Sequence, residues 1–465
     1  MLPVIVRSND VGAATLTAQK GSLIAVLKQV LVNGVTPRSC TITRTGSVAN
    51  VALTGHGFAS YQNVTIAGAN QPEYNGQFPI LAIVDANNFT IAVSGSPVTP
   101  ATGTITAGLQ AAGWTVAIED VPNFKIIFRN DSVAGSGRYF RFQEDGYCSF
   151  DPAQTDYYRG NTFTHMAHLC GCASYSDINT PVAPFPRVLA GGTLHDNYAY
   201  GVGIAKSLDA SSPTNARPWM VVADNRTCHI FTTSATVATT VMPTSNAVPR
   251  GENRRGVISF GDFRSVAPGN VILAKAYVVG GDLRAFNIYT GGSSQGLYSG
   301  TGHPVMKPSK ACYLDSSLEN SANTVRGLIK CEYGHNTQRA SYWYGGSCLP
   351  TVAEGEYTHF PSPSTLDFDT ERLFIAEDLE DPIRQNISTD NFMRYAQGWI
   401  PGLNVSQHTT EVSSAYKVGP ELSLVVDSSG KRFLIYSMLQ WIPNQIFQDT
   451  ISAGLMAISV DDWWV

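Results

Sequence analysis

Val64-Thr-Ile-Ala-Gly-Ala-Asn-Gln-Pro-Glu-Tyr-Asn-Gly-Gln-Phe-Pro-Ile-Leu-Ala-Ile-Val84 sets two runs of β-branched and aromatic residues on either side of an Asn75-Gly76 turn signal. Phe89–Val93 is a further run of the same kind. Gly68-Ala-Asn70, Asp85-Ala-Asn-Asn88 and Ser94-Gly-Ser-Pro97 punctuate the series. Turns at such spacing predict a small β-sandwich or barrel of about 70 residues. The block that contains them, 36–108, holds only four charged side chains: Arg38, Arg44, Glu73 and Asp85.

Its surroundings read differently. Before it, Leu23, Ile24, Leu27, Val30 and Leu31 form one apolar stripe of a helix over Gly21–Asn33. Ser22 is placed to cap that helix, and Asn33-Gly34 to stop it. After it, a more aromatic and charged sequence starts at Gly113-Trp114. The block is therefore read as an Ig-like or small-barrel β-module, inserted between the leading helix and a scaffold. An insertion predicts neighbouring points where the chain enters and leaves. It also predicts a peripheral module whose deletion the scaffold tolerates.

Beyond the module almost everything reads as strand. Asn123–Arg129 and Arg138–Phe142 flank a polar loop. Trp219–Ala223 and Thr227–Thr232 flank Asp224-Asn-Arg226, and Leu422–Val426 and Lys431–Tyr436 flank Asp427-Ser-Ser-Gly430. Each pair predicts a β-hairpin. The expected fold class is mainly β and multidomain, a helix-led scaffold of hairpins and sandwiches carrying the module. Its parts are an N-terminal segment 1–35, the module 36–108, a central β-domain 109–285, a variable loop-rich β region 286–395, and a C-terminal β segment 396–465 packing on the central scaffold.

Composition narrows the function classes. Charged residues make up 14% of the 465 residues, against roughly 25% in ordinary soluble domains, so the exterior is neutral and cheap to desolvate. Such a surface suits wide contacts with partner subunits. Net charge is −5, and pairs such as Arg254, Arg255 or Arg138, Arg141 are too sparse to neutralise many phosphates. Nucleic acid is not an expected partner. The longest apolar stretch, Leu23–Val32, is too short to span a bilayer, so no membrane insertion is expected. Without a basic leader followed by an apolar region, the expectation is synthesis and assembly in a cytoplasm. The eight scattered cysteines are then expected to be reduced thiols.

Several stretches resemble a group of virion structural proteins of tailed bacteriophages. They are Gly21-Ser-Leu-Ile-Ala-Val-Leu27, Leu31-Val-Asn-Gly34, Gly113-Trp114, Phe128-Arg-Asn-Asp131, Tyr175-Ser-Asp177 and Pro184-Phe-Pro186. Ala216-Arg-Pro-Trp219, Val222-Ala-Asp-Asn-Arg-Thr227, Phe260-Gly-Asp262, Gly398-Trp-Ile-Pro-Gly-Leu403 and Asp462-Trp463 continue the series. Together they cover 1–34, about 113–285 and about 395–465. The module separately resembles small β-modules of phage proteins, through Val64-Thr-Ile-Ala-Gly68 and Tyr74-Asn-Gly-Gln-Phe-Pro79. The resemblance implies a virion component of the tail, baseplate or collar region, partnered by other virion proteins and by copies of itself. A host-surface adhesin or fibre that binds a cell-surface glycan is the alternative reading, and a capsid-decorating protein another.

Candidate chemistry is sparse. His165, His168, Cys170 and Cys172 offer zinc-type ligands, but in one strand His165 points away from the other three, so no metal is assigned. Glu377, Asp378, Glu380 and Asp381 lack the alternating ligands and glycine of a calcium loop and read as a solvated turn. Glu144-Asp145 reads as a hairpin turn. Gly292-Ser-Ser-Gln-Gly296 matches a nucleophile elbow around Ser294, but Leu297–Gly302 cannot form the helix an elbow needs. Tyr342-Trp343-Tyr344 and Trp463-Trp464 read as core or interface packing rather than sugar platforms. No catalytic residue and no cofactor is expected, and the chain is not read as an enzyme.

Overall fold

The computed structural model describes residues 1–144, 166–182, 202–207, 214–233, 255–265, 276–279, 288–289, 305–306, 311–314, 325–331, 370–377, 396–406, 423–426, 430–437 and 455–464. The fold is mainly β. Strand β1 (Val4–Arg7) precedes α1 (Ser22–Leu27), the one α-helix among the described residues, and a π-turn over Lys28–Asn33. The module follows as β2 (Arg38–Ser39), β3 (Thr41–Thr45), β4 (Val48–Ala52), β5 (Asn63–Ala69), β6 (Gly76–Asp85), β7 (Asn88–Ala92) and β8 (Gly103–Gly108). Strands β9 (Thr115–Asp120), β10 (Lys125–Arg129), β11 (Tyr139–Gln143) and β12 (Met166–Cys172) come next, with the short hairpin β13 (Ser174–Asp177) and β14 (Thr180–Val182). They are followed by β15 (Val202–Ala205), β16 (Trp219–Ala223), β17 (Thr227–Thr233) and β18 (Arg255–Asp262).

Two sheets enclose the scaffold core. One is five-stranded, in the order β15-β12-β11-β10-β9. The other is thirteen-stranded and starts β1-β16-β17-β18. It continues through Ala276–Val279, Ala311–Leu314, Val325–Cys331, Thr370–Glu377, Ala396–Ser406, Leu455–Ser459, Arg432–Ser437 and Ser423–Val426, with Arg264–Ser265 as the thirteenth strand, paired beside this path with Ala396–Ser406. All three predicted hairpins form: β10 with β11, β16 with β17, and Ser423–Val426 with Arg432–Ser437. Alternation on the strands sends Ile126, Phe128, Phe140 and Phe142 from one sheet and Val221, Ile230 and Phe260 from the other into a shared interior. Phe260 is the meeting point, with its ring 5.3 Å from Phe142 and 5.5 Å from Trp114.

The leading helix is shorter than its apolar stripe suggests. After six α-helical residues the chain widens into the π-turn, closed by the Gly34 amide donating to Gln29 O at 2.7 Å. Leu23, Ile24, Val26, Leu27, Val30 and Leu31 all reach the core. Ser22 does not cap the helix; its hydroxyl donates to Thr17 O. The free amides of the first turn are taken from a distance instead. The Glu144 carboxylate accepts Gly21 N–H at 2.9 Å and Ile24 N–H at 2.8 Å. Glu144, expected in a solvated turn, is thus fully buried and paired with buried Lys206, which also donates to Gln19 O. The helix start is an unmet donor site, and a carboxylate placed 120 residues later supplies what a local cap would have supplied.

The π-turn sets where the module joins. It leaves the Val30 and Leu31 carbonyls open to accept the amides of Ala112, Gly113 and Trp114, while Val35 N–H donates to Leu109 O. The chain therefore enters and leaves the module at adjacent points. Gly34 is required there, because its φ is +74° and a Cβ would lie 2.9 Å from the Ala111 amide.

Within the module, β2 and β3 are one run divided at Cys40. Strand β2 pairs with β8 and β3 pairs with β4. Ten-residue β6 works the same way, pairing with β5 through its first half and with β7 through its second. The order β2-β8-β5-β6-β7-β4-β3 thereby returns to its own beginning. The result is a nearly closed small barrel around Tyr74, Phe89, Ile42, Val51, Val64 and Ile91.

The barrel is seated on the scaffold through buried polar groups. Gln62 Nε2 donates to Ile5 O (2.9 Å) and to Asp10 Oδ2 (2.7 Å), and Asn63 Nδ2 donates to Pro3 O (2.7 Å). Arg7 donates to the Tyr61 hydroxyl at 3.0 Å and pairs with Asp10. Gln62 and Asn63 are 0% and 1% exposed, so their hydrogen bonds have no water to replace them. This seat runs against the expectation of a freely deletable appendage. Removing 36–108 would strip partners from β1 and from Asp10. Gln62→Leu should lower the unfolding free energy by about 1–3 kcal/mol, measured by denaturant titration. An unchanged midpoint would show that the seat contributes nothing.

Candidate functional site

The segments quoted for the resemblance lie far apart in sequence, yet several meet in one polar cluster around the buried Asp224 and Asp262. It starts at the turn between β16 and β17. Asp224 closes that turn, its carboxylate accepting the Arg226 amide at 2.8 Å and the Thr227 amide at 2.7 Å. Its second oxygen accepts Trp464 Nε1–H at 2.5 Å, and its carbonyl accepts Trp114 Nε1–H at 2.7 Å. The Arg226 guanidinium lies 3.3 Å from the centre of the Trp464 ring, a cation–π contact.

Asp262, at the end of β18, is the second centre. It accepts Asn130 Nδ2–H at 2.8 Å, Ser136 N–H at 2.8 Å and Arg226 Nε–H at 3.2 Å. The Thr227 hydroxyl donates to its carbonyl at 2.7 Å. Asn130 in turn accepts the Arg138 amide, and Asn225 Nδ2 donates to Asp131 at 2.7 Å. The loop after β10, the β16–β17 turn, the end of β18 and the C-terminal tryptophan are therefore held by two carboxylates.

A second chain of bonds runs beside it. His229 Nε2 lies 2.8 Å from Pro401 O, a pure acceptor, so that nitrogen carries the proton. Nδ1 must then accept from the Ser259 hydroxyl at 2.7 Å, which leaves Ser259 to accept from Tyr277 OH at 2.5 Å. A serine bonded to a histidine is the first step of a nucleophile–base pair. Here both are buried, at 2% and 0% exposure, and neither His229 nitrogen is left for an orienting carboxylate. The geometry orders the interior instead. The Trp463 ring sits 4.9 Å from His229 and packs on Gly402, whose φ of +70° and missing Cβ make room for the indole.

The groups singled out from sequence are distributed otherwise. Cys170 and Cys172 lie buried on β12, with the Tyr175 hydroxyl donating to Cys170 O. Burial pushes the Cys172 thiol up, which disfavours the thiolate a metal requires. His168 pairs through its backbone with Gln143 and Gly203, while His165 lies outside the described residues. Among the described residues no group of three or more metal-type ligands is brought together. Cys40, Cys170, Cys172 and Cys228 are buried and form no disulfide. Ser294, Tyr342–Tyr344, Asp145 and the acidic run from Asp378 to Asp381 lie outside the described residues; Glu377 ends a strand opposite Gly327. Trp463 is buried, and Trp464 is half-buried against Asp224 and Arg226. Among the described residues no helix is long and apolar enough to cross a membrane.

No family model matches the chain, and no curated protein matches it. Among solved structures, the phage phi92 endosialidase is similar at 9% sequence identity and a TM-score of 0.14, with 90% of this chain and 72% of that chain covered. A likeness of that size carries no argument about substrate or activity.

Burial sets opposite titrations in the two chains of bonds. Desolvation pushes Asp224 up to about 6, against the amides of Arg226 and Thr227 that favour its charged form. Desolvation pushes His229 down to about 4, opposed by the Pro401 carbonyl. A raised carboxyl contributes stability at low pH that is lost as pH rises through about 6. A lowered imidazole contributes stability above its ordinary 6.5 that is lost as pH falls toward about 4. The two slopes oppose each other between about pH 4 and 6. Asp224→Asn should therefore steepen the loss of stability on acidification, and His229→Gln should reverse it. Parallel pH profiles for the wild type and both variants would contradict this. Gly402→Ala should cost a few kcal/mol, on the order of an overpacked core, and shift tryptophan emission; unchanged emission and melting would show that Trp463 is not held there.

Proposed function

We propose that this chain is a structural component of a tailed-phage particle, in the tail, baseplate or collar region. It binds other particle proteins and copies of itself, and no catalytic step is assigned to it. One observation carries this reading. Residues from the resembling stretches, buried Asn130, Asp224, Asp262 and Trp463 together with half-buried Arg226, are consumed in holding strands together. A family mark that serves architecture suits a protein whose task is its shape.

The surface supports the same reading. A seated, nearly closed barrel with four charges presents a rigid neutral face, and such faces are cheap to bury against a neighbour. Mass spectrometry of purified particles from the phage that encodes the chain should find it at a fixed copy number, and antibody labelling should place it on the tail side. A chain absent from particles, and monomeric and stable in the lysate, would sink the proposal.

A further inference from the structure

Strand β1 ends the thirteen-stranded sheet: among the described residues it pairs with β16 on one side and with no strand on the other. Ser8 N–H donates to Trp219 O, so alternation turns the backbone groups of Ile5 and Arg7 away from β16, toward the outer edge. Val4-Ile-Val6 is β-branched, uncharged and free of proline, the composition that makes an open edge a template for another strand. The edge is closed by side chains instead. Gln62 Nε2 donates to Ile5 O, and Asn63 Nδ2 donates to Pro3 O. The Gln77 carboxamide donates to Leu2 O at 3.0 Å and accepts Leu2 N–H at 3.1 Å, the two bonds that a residue paired across a ladder would make. Asp10 accepts Arg7 N–H at 2.7 Å and its amide donates to Arg7 O, while Gln62 holds its carboxylate. Three carboxamides of the module therefore address main-chain atoms along one edge. Bonds of that kind read an extended backbone rather than particular side chains.

We propose that the module caps the β1 edge, and that this edge, once uncapped, takes β1 of a second copy of the chain. The proposal goes beyond the particle reading above and does not depend on it. Register and charge both suit a second copy. In antiparallel pairing about a two-fold axis at Val6, the outward groups of Ile5 meet those of Arg7 in the other copy, and the reverse. Val6 then lies beside Val6, and each Arg7 stands opposite an isoleucine rather than its like. The cap also accounts for the burial of Gln62 and Asn63 at this joint. An apolar joint would leave the Pro3 and Ile5 carbonyls without donors, and the two carboxamides supply them.

The test uses the full-length chain and its double variant Gln62→Glu/Asn63→Asp. Both substitutions keep the side-chain size and set a carboxylate against a carbonyl oxygen, so the seat opens with no apolar side chain added. The probe is a fluorescent synthetic peptide of residues 2–8, Leu-Pro-Val-Ile-Val-Arg-Ser. Fluorescence anisotropy should show saturable binding to the variant and none to the wild type. A peptide carrying Ile5→Pro lacks the outward amide and should lose the binding. Sedimentation velocity should show the variant shifted toward dimer relative to the wild type. A folded variant that neither takes the peptide nor shifts, or a wild type that takes the peptide equally well, would overturn the cap. Where circular dichroism shows the double variant unfolded, Gln62→Glu alone carries the same comparison. Hydrogen exchange on the wild type adds a second reading. The side-chain amide protons of Gln62 and Asn63 should be protected like the backbone amides of β5, and exchange at the rate of a free carboxamide would overturn the cap.

Discussion

The carboxylate of Asp224 lies in a dry interior, and much of the scaffold is arranged to satisfy it. An unpaired buried charge costs far more than a single hydrogen bond returns. Two backbone amides of its own turn and one indole from 240 residues away therefore have to arrive together. Asp262 imposes the same demand on the loop after β10 and on Arg226. Because Arg226 bonds Asp262 and covers Trp464, the two centres are mechanically one. A segment that moved would leave a buried acceptor unmet, and the cluster thus selects one arrangement of the sheets over other compact ones.

The same logic explains the leading helix. Its first turn has no side-chain cap, and Glu144 supplies the missing acceptor from the end of β11, with Lys206 balancing the charge. A six-residue helix has little stability of its own. It persists here because its apolar residues fill the space between the sheets and because its start is tied to a distant carboxylate. The π-turn then frees two carbonyls for the returning chain, so the barrel is inserted without breaking the hydrogen-bond accounting of the scaffold.

Much of the architecture was legible in the sequence, because hairpins announce themselves locally. Alternation around Asp131–Gly137 and Asp224–Arg226, and the turn signals within 36–108, needed only nearest neighbours in sequence to be read. The barrel closure was not legible, since it depends on β2–β3 and β6 each serving two partners. Glu144 was misread for a related reason: Glu-Asp before Gly146 has the composition of a turn, and its true partners, Gly21, Ile24 and Lys206, are remote. The cluster around Asp224 was visible as motifs without a role. Pattern marked the residues, and only the fold showed that they touch. The module's seat on β1 was hidden as well, because Gln62 and Asn63 look like ordinary loop polar residues until Ile5 O, Asp10 and Pro3 O are placed beside them.

The central claim is that these shared residues hold distant segments together, and the indole N–H of Trp464 reports on it most directly. Its hydrogen exchange can be followed as a single resolved signal in the native state. The account predicts protection close to that of the β16–β17 amides, with exchange only through global unfolding. Exchange at the rate of a free indole would mean that the C-terminal segment is not anchored on Asp224, and would contradict the account at its base.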